Sequence, residues 1–287
     1  MLQKFKNSIA FRSGPWAHSI LNILPDPVYT HAPDAGFNLI TVTGKAFLDM
    51  LGECLFSVMK AWDTRPGLVI TTDGSCSTDD VYNALKWWKG PLEVISWETS
   101  RDWARLQGLH NLVDYCEKRP LGKKLCFTLH QASLGKPILW CDADVLWFKH
   151  FSPPAINDSF QVRTTVDFQP CYDPALYPIM PDLEITKPWV NTGIMYWIGN
   201  MMGNQHVQDL LPGIPSDGNH FTEQTWIALL MHRAGFPFLE QQLYVCFTHD
   251  QRDWHISYRN QEWICRHYVG PVRNLFWRDA LALRLGI

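Results

Sequence analysis

The stretch ILWCDADVLWF, residues 138–148, is an apolar run interrupted by two carboxylates, Asp142 and Asp144. Carboxylates are almost never fully buried unless they are paired or bind a cation. In a strand, alternate residues share a face, so both side chains would point the same way across the small Ala143. Because neighbouring carboxylates repel each other, a divalent cation that prefers oxygen ligands, Mg²⁺ or Mn²⁺, would stabilise the pair. The open alternative is a strand end at which both carboxylates face solvent.

Strand-like apolar runs alternate with amphipathic helical patterns on the N-terminal side of this stretch. The predicted strands are 37–44, 67–75 and 92–97, and the predicted helices are 45–62, 78–89 and 121–134. This alternation predicts an α/β fold with a mostly parallel sheet flanked by helices. In such sheets, ligands bind beyond the carboxyl ends of the strands. The polar strand ends TVTG, TTDGS and CDAD should therefore converge on one crevice.

The C-terminal half has a different character. Residues 151–188 are rich in proline and aspartate, which predicts long loops. Residues 189–198, WVNTGIMYWI, form an apolar strand pattern with a polar Asn-Thr-Gly step, and residues 222–235 are typical of a helix that Gly235 ends.

The N-terminal segment differs from the rest of the chain. Residues 1–36 contain four prolines and little periodicity, which predicts an irregular N-terminal arm. No repeat, low-complexity tract or clear linker divides the remainder, so residues 37–287 are predicted to form a single domain.

The composition is that of a soluble globular protein, with 46% hydrophobic and 18% charged residues. A net charge of −3 with scattered basic residues argues against nucleic-acid binding. The eight cysteines form no CxxC pair, which favours reduced, buried cysteines in a cytoplasmic protein. The sequence predicts neither a signal peptide nor a membrane span, and peripheral membrane association stays open.

The chain contains 14 tryptophans. Indole rings suit stacking on the flat apolar faces of sugars, but most of these residues are expected to pack in the core. Trp87 and Trp88 are the pair expected to be more exposed than the others.

Two motifs carry a resemblance to a known family. The DxD of Asp142 and Asp144, in an apolar run that follows a lysine-bearing helix, resembles the metal-binding motif of nucleotide-sugar glycosyltransferases with the GT-A fold. The stretch CRHYVGPVRNLFW, residues 265–277, resembles the HxxGxxK motif of retaining enzymes of the glycogenin and lipopolysaccharide galactosyltransferase type. Similar strands occur in plant-type xylosyl- and arabinosyltransferases, so the resemblance defines the superfamily better than the family.

A competing interpretation of the DxD is the nucleophile motif of haloacid-dehalogenase-type phosphatases. That family has Thr or Val two positions after the second aspartate and places its motif on an early strand. Here Leu146 occupies that position and the motif lies in the middle of the chain, so the phosphatase interpretation is disfavoured.

The resemblance implies a Rossmann-like mixed sheet flanked by helices, with a nucleotide-binding half, 37–150, and an acceptor and catalytic half, 151–287. It also implies that Asp142, Asp144 and His267 bind Mn²⁺ or Mg²⁺.

The donor diphosphate would contact several residues of the same motifs. Arg273 replaces the family's lysine, and it keeps the charge with a fork suited to phosphate oxygens. Gly270 lies beside it in the motif, Asp142 also faces the donor through the metal, and Lys124 matches a basic residue before the DxD. Lys123 is an equal candidate, and a lysine that faces solvent is the alternative for either.

Other residues would contact the sugar or the nucleoside. Asn191 would lie near the donor sugar, Glu223 would bind its hydroxyl groups, and Gln224 would lie beside the anomeric carbon. Thr43 and Asp73, at the ends of the first two strands, would lie near the nucleotide. The alternatives are a bulge or turn at Asn191 and a plain helix N-terminal charge at Glu223.

The resemblance therefore predicts transfer of a sugar from a nucleotide-diphosphate sugar, with a UDP-sugar expected, to the hydroxyl of a glycan or another acceptor. Retention of the anomeric configuration is expected. A nucleotide-sugar hydrolase and a non-catalytic carbohydrate-binding relative are the alternatives. The transferase and hydrolase interpretations, which both use a metal, require His267 to lie near Asp144 in the folded chain.

Overall fold

The computed structural model describes residues 13–154, 160–251 and 258–287. Its strands are β1 (Asp34–Thr43), β2 (Arg65–Thr72), β3 (Leu92–Ile95), β4 (Ile138–Cys141), β5 (Val145–Trp147), β6 (Phe160–Val166), β7 (Val190–Gly199), β8 (Tyr244–Cys246) and β9 (Cys265–His267). Helical residues 13–21 form α1. The other α-helices are α2 (Leu48–Ala61), α3 (Thr78–Ala84), α4 (Trp97–Leu106), α5 (His110–Lys118), α6 (Gly122–Ser133), α7 (Gln205–Leu210), α8 (Thr222–Ala234) and α9 (Arg273–Leu285).

The main sheet has six strands in the order β3-β2-β1-β4-β7-β6. The pairs β1–β2, β2–β3 and β1–β4 are parallel. The pairs β4–β7 and β6–β7 are antiparallel. The predicted α/β fold with a mixed sheet flanked by helices is confirmed, and the strands of the first half are the parallel ones.

Both faces of this sheet are covered. Adjacent residues of β1, Leu39 and Ile40, belong to different hydrophobic clusters, because successive side chains of a strand point to opposite faces. One cluster includes the buried faces of α2 and α9, and the other includes those of α6 and α8. Burial on both faces explains why the central strands are continuous apolar runs rather than alternating ones.

A second, small sheet has the order β5-β9-β8. The chain leaves the main sheet at Cys141 and enters the small sheet at Val145, whose partner on β9 is His267. The predicted strand end at CDAD is therefore present, and the apolar residues after it form a separate strand in the small sheet. Asp142 and Asp144 lie in the turn that joins the two sheets, where the strand pairing must change partners.

The prediction of an irregular N-terminal arm is wrong for part of its length. Residues 13–21 are helical, and Ala17 and Leu21 are buried in a core cluster. Residues 1–12 lie outside the described residues. The apolar residues on one face of α1 are packed against the body of the domain, so tertiary contacts stabilise a helix despite the nearby prolines.

Two further expectations need correction. The region 151–188, predicted as loops, contains β6, whose β-branched residues pair with β7. Trp87 and Trp88 are buried, because α3 ends at Ala84 and the chain turns the two rings inward.

Two local expectations are confirmed, the end of α8 at Gly235 and the burial of most cysteines. Gly235 ends α8 with a left-handed backbone at φ 66°, as its sequence pattern predicts. Six of the eight cysteines are buried. Within the described residues, the helices are all too short or too polar to cross a bilayer.

Candidate active site

A cavity of about 330 Å³ opens beside the turn that carries the DxD. It lies beyond the carboxyl end of β4, between the N-terminal ends of α6, α8 and α9 and the end of β9. Eight of the sequence-predicted residues line it: Lys124, Asp142, Asp144, Glu223, Gln224, His267, Gly270 and Arg273. The folded chain thus brings together residues from both predicted motifs and from α6 and α8.

Asp142, Asp144 and His267 form a compact group of candidate metal ligands. One ligand atom from each lies within 4.8 Å of the other two. His267 Nε2 lies 3.1 Å from Asp144 Oδ1 and 3.7 Å from Asp142 Oδ2. Two ligands on opposite sides of a cation with bonds of about 2.1 Å are roughly 4.2 Å apart, so small side-chain shifts would close this group around an ion.

Asp144 is buried between two cationic partners. Its Oδ2 accepts a hydrogen bond of 2.9 Å from Arg273 Nε, and its Oδ1 faces His267. Burial acts to raise the pKa of Asp144, but His267 and Arg273 outweigh burial and lower the pKa to about 2. The carboxylate is therefore ionised at neutral pH and available as a ligand.

The pKa of the His267 imidazole is shifted by its contact with Asp144. Burial acts to lower its pKa, but the negative charge of Asp144 more than offsets this effect and raises the pKa well above its ordinary value. Without a bound cation, a proton on His267 thus balances the charge of Asp144.

Lys124 is held by the other aspartate. Its Nζ donates to both oxygens of Asp142, at 3.0 and 3.2 Å, and to the main-chain oxygen of Thr192 at 2.8 Å. Trp140 Nε1–H also donates to Asp142, at 2.7 Å. Burial acts to lower the pKa of Lys124, but the negative charges of Asp142 and Glu223 outweigh burial, so the pKa is raised and the ammonium group stays charged.

Lys123 has a different place. Its Nζ donates to the main-chain oxygen of Asp73 and lies 5.4 Å from the ring centroid of Trp97. Of the two lysines that the sequence left as equal candidates, Lys124 is the one that lines the cavity.

Glu223 lies at the start of α8, with its Oε1 3.9 Å from Lys124 Nζ. Burial raises its pKa to about 7, and the nearby Lys124 opposes that increase. Its Oε2 accepts a hydrogen bond of 3.2 Å from the Thr192 hydroxyl, while its Oε1 has no hydrogen-bond partner among the described residues. A buried acceptor of this kind can bind a hydroxyl group of a ligand.

The side chain of Gln224 makes hydrogen-bond contacts within the protein. Its amide nitrogen donates to the main-chain oxygen of Cys171 at 3.3 Å, and its Oε1 lies 3.4 Å from the Thr192 hydroxyl. Its side chain is therefore oriented before any ligand binds.

Asn191 does not line the cavity. It lies behind His267, where its Oδ1 is 2.9 Å from His267 Nδ1. The pairing register between β6 and β7 shifts next to Asn191, so the bulge that the sequence left open is present. Asn191 thus contacts a candidate metal ligand, and its predicted place near the donor sugar stays a prediction.

Thr43 and Asp73 also lie outside the lining of the cavity. Thr43 is the last residue of β1, and its hydroxyl is buried without a hydrogen-bond partner among the described residues. Because side chains alternate along a strand, its neighbour Val42 faces the cavity instead. Asp73 accepts hydrogen bonds from the backbone and hydroxyl group of Ser75, at 2.7 and 2.6 Å.

Several lining residues are absent from the sequence prediction. Thr192 follows Asn191 on β7 and contacts Lys124 and Glu223. Phe47 lies under the guanidinium group of Arg273, 5.3 Å from ring centroid to Cζ. Strand alternation around the Asn-Thr-Gly step was the available signal for Thr192, whereas Phe47 is apolar and unremarkable in the sequence.

The mixed sheet, the DxD turn between two sheets and the histidine beside it are the GT-A fold of nucleotide-sugar glycosyltransferases. Solved structures of three glycosyltransferases share this fold with the chain at 10–13% sequence identity. Mouse xyloside xylosyltransferase 1, in its apo form, is 12% identical with a TM-score of 0.54, and the match covers 80% of this chain and 97% of that one. The galactosyltransferase LgtC, in complex with donor and acceptor sugar analogues, is 13% identical with a TM-score of 0.53, over 85% of this chain and 95% of that one.

The glycosyltransferase GlyE of Streptococcus pneumoniae is a third example, at 10% identity and a TM-score of 0.51. The match covers 88% of this chain and 61% of that one. No protein-family model matches the sequence, and no curated protein matches it by sequence.

Proposed function

We propose that this protein is a metal-dependent glycosyltransferase that transfers a sugar from a nucleotide-diphosphate sugar to an acceptor hydroxyl. The donor is a UDP-sugar and the anomeric configuration is retained. The observation that carries the proposal is the group of Asp142, Asp144 and His267 at the carboxyl end of the parallel strands, where the distant C-terminal motif brings His267 beside the DxD.

The chemistry of the ligand set fits a divalent cation. Asp142 Oδ2 and Asp144 Oδ1 are the carboxylate oxygens on the side of His267, and the remaining oxygens accept hydrogen bonds from Lys124 and Arg273. Asp144 thus keeps Oδ1 for a cation while its Oδ2 is held by Arg273, and Asp142 Oδ2, which also accepts a hydrogen bond of 3.2 Å from Lys124, would share its lone pairs between Lys124 and the cation. When bound, the cation would act as a Lewis acid toward the departing diphosphate.

The charges of the cavity favour the same conclusion. Lys124 and Arg273 already pair with the DxD carboxylates, so they neutralise the protein's own charge. A diphosphate brings at least two more negative charges, which a divalent cation would balance. Arg273 is 45% exposed, so its guanidinium group can also contact phosphate oxygens from the open side of the cavity.

Glu223 and Thr192 are proposed to orient the transferred sugar. Glu223 Oε1 is buried and accepts no hydrogen bond among the described residues, so it would accept one from a sugar hydroxyl while Lys124 Nζ stays 3.9 Å away. Transfer with retention would follow attack by the acceptor hydroxyl on the face from which the diphosphate departs. The departing phosphate oxygen would take the proton of the acceptor hydroxyl.

The proposal is tested by thermal shift and by product analysis. A panel of UDP-, GDP- and CMP-sugars should raise the melting temperature only when Mn²⁺ is present, and most strongly for one UDP-sugar. Asp144→Ala should remove this shift and lower turnover of that donor by more than about 100-fold, because it removes a ligand and a charge.

Controls separate the alternatives. Asp209→Ala, in the short helix α7, is an exposed aspartate outside the cavity and should behave as the wild type. Release of free sugar without any transfer to a panel of glycan acceptors would identify a hydrolase. A stabilising shift with free sugars but not with nucleotide-sugars would identify a carbohydrate-binding protein, and a product with inverted configuration would contradict retention.

A further inference from the structure

The side of His267 that faces away from the cavity contacts a chain of buried polar groups. His267 Nδ1 lies 2.9 Å from Asn191 Oδ1, and Asn191 Nδ2 lies 2.9 Å from Asp167 Oδ2. All three side chains are at least 93% buried, with exposures of 7%, 3% and 6%. Buried polar groups cost free energy unless each finds a partner, so this chain of contacts requires an explanation.

The orientation of the Asn191 amide follows from its other neighbours. The main-chain N–H of Gly193, which can only donate, points to Asn191 Oδ1 at 3.0 Å. The carboxylate of Asp167, which accepts when ionised, receives the Nδ2 group. A flipped amide would place an N–H against an N–H and an oxygen against a carboxylate, so the assigned orientation is the favourable one.

This orientation determines which nitrogen of His267 keeps its proton when the imidazole is neutral, as it is when it binds a metal. Because Asn191 Oδ1 can only accept, His267 Nδ1 must donate to it. The other nitrogen, Nε2, then faces Asp144 and Asp142 at 3.1 and 3.7 Å. A metal-binding histidine is commonly oriented in this manner by a hydrogen bond from its second ring nitrogen.

The backbone leaves room for this arrangement at one position. A Cβ atom on Gly193 would lie 2.2 Å from His267 Nδ1, so the imidazole approaches β7 where a side chain is missing. Asp167 is anchored in turn, since it follows β6, its N–H donates to Trp189, and its Oδ1 accepts from the N–H of Phe168 at 2.8 Å.

We propose that Asp167, acting through Asn191, is a positioning residue that keeps Nδ1 of His267 as the hydrogen-bond donor and directs Nε2 toward Asp142 and Asp144. Asn191 is then a positioning residue as well, and not a contact of the donor sugar. The inference rests on the proposed function in one respect only: it assumes that His267 Nε2 is a metal ligand.

A neighbouring group offers a competing explanation. The Cys246 thiol lies 3.5 Å from Asn191 Nδ2 and also contacts His267. A thiol is a weak hydrogen-bond partner, and the amide oxygen at 2.9 Å is the stronger one. The test therefore includes a variant of each.

The first measurement needs no metal. In protein labelled with ¹⁵N-histidine, the Nδ1–H of His267 should appear as a slowly exchanging ring proton, assigned by its loss in His267→Gln. Asn191→Leu has a similar volume but no acceptor, and it should speed exchange of this proton by at least about tenfold. The double variant Asn191→Asp/Asp167→Asn keeps an acceptor toward Nδ1 and a hydrogen bond between residues 191 and 167, and it should retain the slow proton.

The second measurement is Mn²⁺ affinity by electron paramagnetic resonance. Asn191→Leu should weaken binding by roughly 10- to 100-fold, the range typical for a lost partner of a ligating histidine. Asp167→Ala should weaken it less, and Asp167→Asn, which still offers an oxygen to Asn191 Nδ2, should restore most of the affinity. A merely structural role for Asp167 would lower stability equally in both variants without this difference.

Two control variants complete the design. Cys246→Ala should leave both the slow proton and the Mn²⁺ affinity within about twofold of the wild type if the amide is the partner. Asp173→Asn changes another buried aspartate, whose partners are Ala175, Asn219 and Thr222, and it should leave the His267 proton unchanged.

The outcomes separate the inference from the proposed function. A slow Nδ1–H that persists in Asn191→Leu, or that disappears in Cys246→Ala, would overturn the positioning role. A wild-type protein that shows the slow proton but binds no Mn²⁺ would instead overturn the metal site and leave the positioning of the imidazole supported.

Discussion

His267 has two sides that differ in kind. The side toward the cavity faces the carboxylates of Asp144 and Asp142, which also pair with Arg273 and Lys124. The opposite side contacts the neutral amide of Asn191 and packs against β7, where Gly193 has no side chain. One side is governed by charge and the other by hydrogen-bond direction and shape.

The difference predicts how each side responds to mutation. Charges in a buried site interact strongly, so removing one from the cavity side should have large effects on ligand binding. Changes on the opposite side move the imidazole without removing a ligand, so their effects should be graded. The predictions below test this contrast in order of decreasing effect.

His267→Ala removes the residue that both sides share and should have the largest effect. We expect Mn²⁺ affinity to fall by more than about 100-fold, which exceeds the loss expected when a residue that only contacts a metal ligand is removed. Transfer activity should fall to background. Electron paramagnetic resonance titration measures the affinity. His206→Ala, at an exposed position of α7, is the control and should bind Mn²⁺ like the wild type. Equal affinities in the two variants would contradict the assignment of His267.

Gly193→Ala tests the side away from the cavity by shape alone. The added Cβ would lie 2.2 Å from His267 Nδ1, so the imidazole must move. We expect Mn²⁺ affinity to fall by roughly 10- to 100-fold. Gly52→Ala is the matched control, because its Cβ would meet nothing within 4 Å and it lies in α2. That variant should gain about 0.5–1 kcal/mol of stability in chemical denaturation and keep its metal affinity.

Arg273→Lys tests the cavity side without a change of charge. Lysine cannot reproduce the guanidinium fork that binds Asp144 Oδ2 through Nε and leaves other N–H groups for phosphate. The KM for the donor should rise by about tenfold while kcat falls less. Steady-state kinetics with saturating acceptor measure this. A variant with an unchanged KM would show that Arg273 serves Asp144 alone.

Glu223 predicts a dependence of stability on pH. Its pKa is raised to about 7 in the folded state, so the folded protein binds this proton more tightly than the unfolded chain does. Its contribution to stability is therefore complete below the unfolded pKa and is lost as the pH rises toward 7 and above. Between pH 5.5 and 8, the wild type should lose on the order of 1 kcal/mol more than Glu223→Gln in denaturant unfolding. Parallel pH profiles for the two proteins would refute this prediction.

Thr43→Val should have the smallest effect. The Thr43 hydroxyl is buried with no partner among the described residues, and its side chain does not line the cavity. Removing an unpartnered hydroxyl should leave stability equal or slightly higher, and donor KM should change by less than about twofold. Thermal denaturation and donor kinetics check both points. A large rise in KM would restore Thr43 to the nucleotide site.

The sequence predicted most of the fold and much of the cavity. Long apolar runs and helical periodicity are local patterns, so β1, β2, β4, β7, α2, α6 and α8 were predicted close to their positions. The chain also placed its polar residues at strand ends, which predicted the carboxyl edge of the sheet as the site. The residues of the DxD and of the C-terminal motif line one cavity because both are attached to the ends of paired strands.

The errors have physical causes. Residues 138–148 are uniformly apolar around the DxD, so periodicity could not reveal that the chain changes sheets there. Asp167 was missed because β6 lies in a region rich in proline and aspartate, although its β-branched residues followed by a carboxylate repeat the pattern of the DxD strand. Thr43 lies outside the lining of the cavity while Val42 lines it, and a strand end alone does not tell which of two neighbouring residues faces a ligand.

By itself, the sequence determined the alternation of helices and strands and the kinds of side chain available for chemistry, since both depend on local composition. Only the tertiary structure decided which polar residues meet. Arg273 pairs with Asp144 although 129 residues separate them in the sequence. Asn191, which the sequence predicted near the donor sugar, is the hydrogen-bond partner of His267. A hydrogen bond forms only when the donor–acceptor distance is right to within a few tenths of an ångström. Strand register and packing determine that distance.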